Sequence, residues 1–276
     1  HAQQPAAGAR AEAYKPADAP LAPELLSLSS LDDRLVEKLA AGAIRLVRVR
    51  WLLLQPEDYR IQNRQQLEQL ERDGASPSPL LSPDEAVALV RRCARAAGSL
   101  TYGWLSPGNP DPAGARTRVV RAALEANGYI EALFWDYASL YQGDRTPEQN
   151  ALFSQALSVM GDLYASAVGT TVLQLKEIPP RPKDFDGALA LFDLADGVDE
   201  AKIKDAFSAF GVVESVEVTG TWAPAAIVRL AAHDDALAAV KAGAPTAICA
   251  GLDTLYNTRS YDGRRGEEGL EDDDGR

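Results

Sequence analysis

Apolar and polar positions alternate along the chain in short runs that predict a succession of small strands and amphipathic helices. A helix is expected from Ser30 to about Ala41, with Ser30 as N-cap and Asp33 answering at the third position. Ile44 to Leu54 (IRLVRVRWLLL) alternates for part of its length and is rich in β-branched and aromatic residues. That pattern predicts a strand with a basic exposed face, Arg45 on one side and Arg48 and Arg50 on the other. A polar helix is expected over Asn63 to Arg72. Ser82-Pro-Asp-Glu85 then reads as a capping box with proline in the first turn, opening a helix that Gly98 should close.

Leu100 to Trp104 (LTYGW) predicts a short strand, followed by the proline-studded loop Ser106 to Gly114. A helix is expected over Ala115 to Asn127, with Val119, Val120, Ala123 and Leu124 on one stripe and Gly128 as its stop. The strand Ile130 to Asp136 comes next. Thr146-Pro-Glu-Gln149 opens one further helix carrying Leu152, Phe153, Leu157, Met160, Leu163 and Tyr164; Gly169 closes it before a strand over Thr171 to Leu175. Residues 99–176 thus alternate strand, helix, strand, helix, strand. This predicts an α/β unit with a flavodoxin-like parallel sheet covered by helices on both faces. Pro179, Pro180 and Pro182 mark a boundary. Residues 187–257 read β-α-β-β-α-β, the order of a ferredoxin-like plait. The Ala/Pro-rich segment 1–25 and the acidic tail 263–276 bury too little apolar surface to offset ordering and are expected to be disordered.

Charge narrows the choice of partners. The formal net charge of -12 opposes non-specific attraction to nucleic acid and to anionic membranes. No apolar run approaches the ~18 residues that a membrane span needs. Cys93 and Cys249 are far apart and lack CxxC spacing, so no disulfide framework or zinc signature is expected, and Cys93 is read as a buried thiol on a helical face. A reducing compartment, the cytoplasm, is the expected setting. The chain opens on His1 rather than Met, as a processed or partial product would.

The plait raises the possibility of an RNA-recognition motif, which stacks bases on aromatic side chains of its two central strands. Here the stacking positions hold Ala190, Ala225 and Ile227. Within 187–257, four basic residues (Lys202, Lys204, Arg229, Lys241) face ten acidic ones, 4 − 10 = −6. RNA binding is therefore disfavoured, each missing stack forfeiting roughly 1–3 kcal/mol. His233, beside Asp234 and Asp235, is a lone histidine without a second ligand and is read as a capping or surface residue. The loop 106–114 precedes a helix but has prolines at 107, 110 and 112 and no GxGxxG or GxxxxGK[ST], which argues against an amide-lined phosphate cradle.

The strongest polar constellation lies where Ala132 to Gln142 (ALFWDYASLYQ) runs from an apolar strand into Asp136. Ligands of parallel α/β sheets sit beyond the carboxyl ends of the strands. Asp136, Ser139 and Gln142, with Asp111 and Arg116 from the neighbouring loop, Trp104, and Glu177 after the last strand, are the candidate ligand-binding residues. The alternative is that Asp136 and Ser139 cap local backbone amides. No histidine or cysteine lies here, so a Ser/His/Asp or Cys/His nucleophilic site is not supported.

At LTYGWLSPGNPDPAG, ALFWDYASLYQ and ALFSQALSVMGDLYASAVGTTVLQLKEIPPRP the chain resembles a family of proteins from unicellular algae with a TIR-like or heterokaryon-incompatibility-like α/β domain. Tyr102 stands where that class often has histidine, and Tyr141 where it has proline. The algal resemblance runs from about 43 to 262. It implies an α/β domain at 26–178 carrying an RNA-recognition-like plait at 187–257. In related TIR domains the function is self-association, sometimes with cleavage of NAD by a glutamate, but no position here matches that glutamate's motif. After Ser260-Tyr-Asp-Gly263 family members continue with an arginine-glycine-tryptophan segment and a helix, so the α/β domain is expected to lack its last elements. The expected function is a non-catalytic interaction or signalling module without cofactor, binding a protein partner or itself. The alternatives are a hydrolase handling NAD or a nucleotide in the crevice, and RNA binding through the plait.

Overall fold

The computed structural model describes residues 30–166, 169–177, 179–219 and 224–256, the side chains of Ser30 and Leu31 excepted. The proposed Ser30 cap and the segments 1–25 and 263–276 lie outside what is described. The described residues form a mixed α/β fold with two four-stranded sheets, one mixed and one antiparallel.

The first sheet has the order β1-β3-β2-β4, formed by Val47–Arg48 (β1), Ala97–Thr101 (β2), Ala132–Phe134 (β3) and Thr170–Gln174 (β4). β2, β3 and β4 run parallel, as the alternation predicts, but β1 pairs antiparallel with β3, so the sheet is not purely parallel. Around it lie α1 (Ser30–Ala40), α2 (Val49–Leu53), α3 (Arg64–Arg72), α4 (Pro83–Arg91), α5 (Ala115–Ala126), the single turn α6 (Asp136–Ser139), α7 (Pro147–Leu157) and α8 (Met160–Ala165). Alternation along β3 feeds two cores. Ala132 and Phe134 join Leu35, Leu39, Leu89, Val90 and Leu163 on one face. Leu133 and Trp135 join Trp51, Leu52, Val120 and Leu124 on the other. Burying each large apolar side chain contributes roughly 1.5–3 kcal/mol.

Three helix starts follow from local chemistry. Ser82 with Glu85, Thr146 with Gln149, and Asn63 with Gln66 all form reciprocal capping boxes, the first two with proline in the opening turn. Several longer-range expectations need correction. Ile44 to Leu54 is not one strand: only Val47 and Arg48 are extended, and the chain then turns into α2, burying Val49, Trp51 and Leu52. Arg50 is exposed, but Arg45 and Arg48 form no free basic face. Arg45 pairs with Glu71 and Arg48 with Glu85, each through two hydrogen bonds of 2.8–3.1 Å. Gly98 does not stop a helix. α4 ends at Arg91, Cys93 and Arg95 turn the chain at positive φ, and Gly98 sits inside β2, where a Cβ would meet Ile130 and Leu133 at 3.0 and 3.1 Å. Cys93 is accordingly outside the helix and only half-buried. Val119 is 51% exposed, because the buried stripe of α5 runs through Val120 and Leu124. The helix after Thr146 breaks at Val159 into α7 and α8, which leaves Leu157 exposed.

The second sheet contains Ala188–Leu194 (β5), Val213–Val218 (β6), Ala226–Leu230 (β7) and Cys249–Thr254 (β8) in the order β6-β7-β5-β8, antiparallel throughout. Glu200–Phe207 (α9) and His233–Ala242 (α10) fall between β5 and β6 and between β7 and β8. Ile203, Phe207, Ala236 and Ala239 pack with Leu189, Leu191, Val228 and Leu230. A separate cluster joins Ala188, Ala190 and Leu255 to Phe185, Phe192 and Ile227. Asp199 caps α9 by accepting from the Lys202 N–H at 2.9 Å. His233 opens α10, and its Nδ1 accepts the Gly187 N–H at 3.4 Å.

Candidate functional site

Side chains named from the sequence gather at the carboxyl ends of β2, β3 and β4, and these fall into two groups joined by the segment 102–104 that follows β2. β3 ends at Phe134, Trp135 is extended, and Asp136 opens the turn α6. Tyr102 and Trp104, in the segment just after β2, both reach this carboxylate. The Tyr102 hydroxyl donates to Asp136 Oδ1 at 2.6 Å and Trp104 Nε1 donates to Oδ2 at 3.0 Å. The Tyr137 N–H also donates to Oδ1, at 2.6 Å. Trp135 Nε1 in turn donates to the Tyr102 oxygen at 2.8 Å. Edge-to-face contacts between Tyr102 and Trp135 and between Trp104 and Tyr137 hold the rings in place.

The other residues around Asp136 serve the backbone. Ser139 is fully buried, and its Oγ accepts the Trp135 N–H at 3.0 Å. Gln142 Nε2 donates to the carbonyls of Asp136 and Leu140, while its own main chain exchanges hydrogen bonds with the Gln65 side chain. Burial, then the Asp136 charge, push the Tyr102 phenol well above its ordinary value. It remains a neutral donor, as a hydrogen bond to a carboxylate requires.

The second group forms at the start of α5. Asp111 is 1% exposed and spans the helix N-terminus, accepting from the Arg116 N–H at 2.8 Å, the Thr117 N–H at 2.7 Å and the Thr117 hydroxyl at 2.6 Å. The N-cap position itself is Gly114 at φ 72, which has no side chain to cap with. Asp111 supplies the missing acceptor, and its charge suits the positive end of the helix. Arg116, 2% exposed, reaches the ends of two strands: it donates to the carbonyl of Gly103 after β2 and to that of Glu177 after β4. Burial, offset by Asp111, lowers its pKa. The Glu177 side chain is exposed, so this residue meets the group through its carbonyl.

Asp136, Ser139, Gln142 and Trp104 are thus together, and Asp111, Arg116 and the Glu177 carbonyl are together. Gly103 lies between them, its carbonyl facing Arg116 while its neighbours' side chains face Asp136. Sequence reasoning missed Thr117 and Tyr256. Tyr256 follows β8, is 1% exposed, and has its pKa raised by burial and then by Asp111, with Arg116 opposing. Nothing in the spacing relates position 256 to position 111. Sequence reasoning also missed Arg64, a 2% exposed guanidinium over the Tyr141 ring that donates to the carbonyls of Gly42, Ala43 and Ser139.

Chemically, Asp111, Asp136 and Ser139 engage the protein's own backbone, the Thr117 hydroxyl and aromatic side chains, whereas Arg116 engages two carbonyls but keeps a buried Nε without a partner among the described residues. Among the described residues no helix is long and apolar enough to cross a membrane. Comparison of the chain with protein-family models and with curated proteins finds no match to either.

Proposed function

We propose that the chain is a non-catalytic protein-interaction module, a TIR-like α/β unit over 26–178 followed by an RNA-recognition-like plait over 187–257 that has lost its RNA-binding chemistry. One observation carries this reading: Asp111, Arg116 and Asp136, the charged groups best placed at the strand ends, are held in hydrogen bonds to the fold itself. A general base or nucleophile needs a lone pair or proton aimed at a substrate. The Asp136 carboxylate already accepts three hydrogen bonds from Tyr102, Trp104 and the Tyr137 N–H, so its lone pairs are aimed at the fold and not at a substrate. The NAD- or nucleotide-handling alternative has less support for that reason.

RNA binding has less support still. Ala190 is fully buried in a cluster with Phe185, Phe192 and Leu255, so the position that would carry a stacking ring faces protein rather than solvent. A cytoplasmic setting fits two cysteines that are free thiols. The test is incubation of the purified chain with NAD and with ATP, following release of nicotinamide and ADP. No product above buffer is expected. Turnover that disappears in a folded Asp136→Asn variant would overturn the reading.

A further inference from the structure

The two sheets present four edge strands, and three are guarded. β1 is two residues long and its outer side is taken: Val47 bridges Leu80, the Arg48 N–H donates to Pro79 O at 2.8 Å, and the Leu81 N–H donates to Leu46 O at 2.9 Å. β6 carries exposed Glu214 and Glu217, and β8 carries exposed Asp253. Pairing either of these with its own copy would gather carboxylates in a chain whose net charge is -12. β4 differs. Thr170–Gln174 (TTVLQ) contains no charge and no proline, and its central Val172 is 45% exposed. Natural sheets protect edges with charges, proline or brevity because an open row of N–H and C=O groups recruits another strand.

The ladder shows which groups are open. The Leu175 N–H donates inward to Thr101 O at 2.9 Å. Backbone groups of a strand alternate between its two sides, so residues 171 and 173 also face β2, whereas the N–H and C=O of Val172 and Gln174 face away from the sheet. At the strand's start, Arg95 Nε donates to the outward carbonyl of Thr170 at 3.3 Å. Among the described residues the open stretch is therefore centred on Val172.

We infer that β4 pairs antiparallel with the β4 of a second copy of this chain across a two-fold axis at Val172, joining two first sheets into one. This rests on the interaction reading above and names its partner. An axis at Val172 sets each Val172 opposite its equivalent, where the two exchange both N–H···O bonds, and sets Gln174 opposite Thr170 on either side. A neutral strand is self-complementary in this arrangement, which a closed two-fold requires, and the other edges are not. Pairing five residues buries less than the ~1,200 Å² of a standard stable interface, so the dimer is weak and exchanges rapidly.

Sedimentation of the full chain from about 10 µM to about 1 mM should show a concentration-dependent dimer. Val172→Lys places two ammonium groups against each other at the axis. Gln174→Pro removes an outward N–H while leaving the ladder to β2 intact. Each substitution should raise the dimer Kd at least about tenfold, with circular dichroism and melting temperature unchanged. A wild-type chain that stays monomeric across this range overturns the β4 assignment. A dimer that persists in both variants also overturns it, while leaving the interaction reading intact through another surface. Turnover in the NAD and ATP assay overturns that reading whatever sedimentation shows.

Discussion

Removal of the Asp111 carboxylate gives the sharpest energetic prediction. Asp111→Ala leaves the N–H groups of Arg116 and Thr117 without their acceptor at a site 1% exposed, where water cannot replace it. Loss of a helix cap costs about 1 kcal/mol. Each buried donor left unsatisfied costs about 1–3 kcal/mol, with partial overlap between the two terms. Arg116 also loses the largest of the electrostatic contributions that offset its burial. The Thr117 hydroxyl keeps the Ile61 N–H it accepts at 3.2 Å. The sum is about 3 kcal/mol, which in a unit of this size lowers the melting temperature by roughly 6–12 °C. Asp111→Asn keeps one oxygen acceptor and should cost about half as much. Urea unfolding followed by tryptophan fluorescence reads the first unit through Trp51, Trp104 and Trp135. Equal stability of wild type and Asp111→Ala, or a more stable Ala variant, would refute the capping role.

Three further outcomes test other parts of the fold. Gly187 has φ 68, and a Cβ there would lie 1.9 Å from Leu230 O. Gly187→Ala should destabilise the second sheet by about 3 kcal/mol or more, seen as early loss of its part of the thermal transition. The Glu85 pKa is lowered to about 2, first by its hydrogen bond from Arg48 and then by the Ser82 N–H. That pair contributes stability above the ordinary glutamate value of 4.5 and loses it as pH falls toward 2, so Glu85→Gln should flatten the acid limb of the stability–pH curve. Because Glu85 is half-exposed, the effect should be modest and should shrink with added salt. Asp32 shows the opposite sign: burial raises its pKa, so its contribution is lost as pH rises through the folded value. Asp32→Asn should therefore raise the melting temperature at neutral pH.

What the sequence disclosed depended on the range of the interactions. The capping boxes at Asn63, Ser82 and Thr146 are complete within four residues, so their spacing alone specifies them. The strands at Ala132–Phe134 and Thr170–Gln174 were legible within a residue or two of their ends, whereas the strand expected over Leu100 to Trp104 is Ala97–Thr101 and ends before Tyr102. Ile44 to Leu54 misled because Arg45 and Arg48 are answered by Glu71 and Glu85, more than 20 positions away in sequence. Gly98 misled because glycine marks both helix ends and close packing, and here Ile130 and Leu133 press against it. At the candidate site the polar residues stood out as types, but their partners did not. Asp136 meets Tyr102 across 34 positions. Tyr256, from the far end of the described chain, is coupled electrostatically to Asp111 and Arg116.

The unfolding free energy of Asp136→Ala tests most directly whether the strand-end carboxylate holds the fold. Its three hydrogen bonds, from Tyr102, Trp104 and the Tyr137 N–H, are charge-assisted, and their joint loss should cost about 3–5 kcal/mol. A drop of that size is the expected result. Unchanged or increased stability would contradict it, since a carboxylate held at an energetic cost for a ligand is one whose removal relaxes the protein.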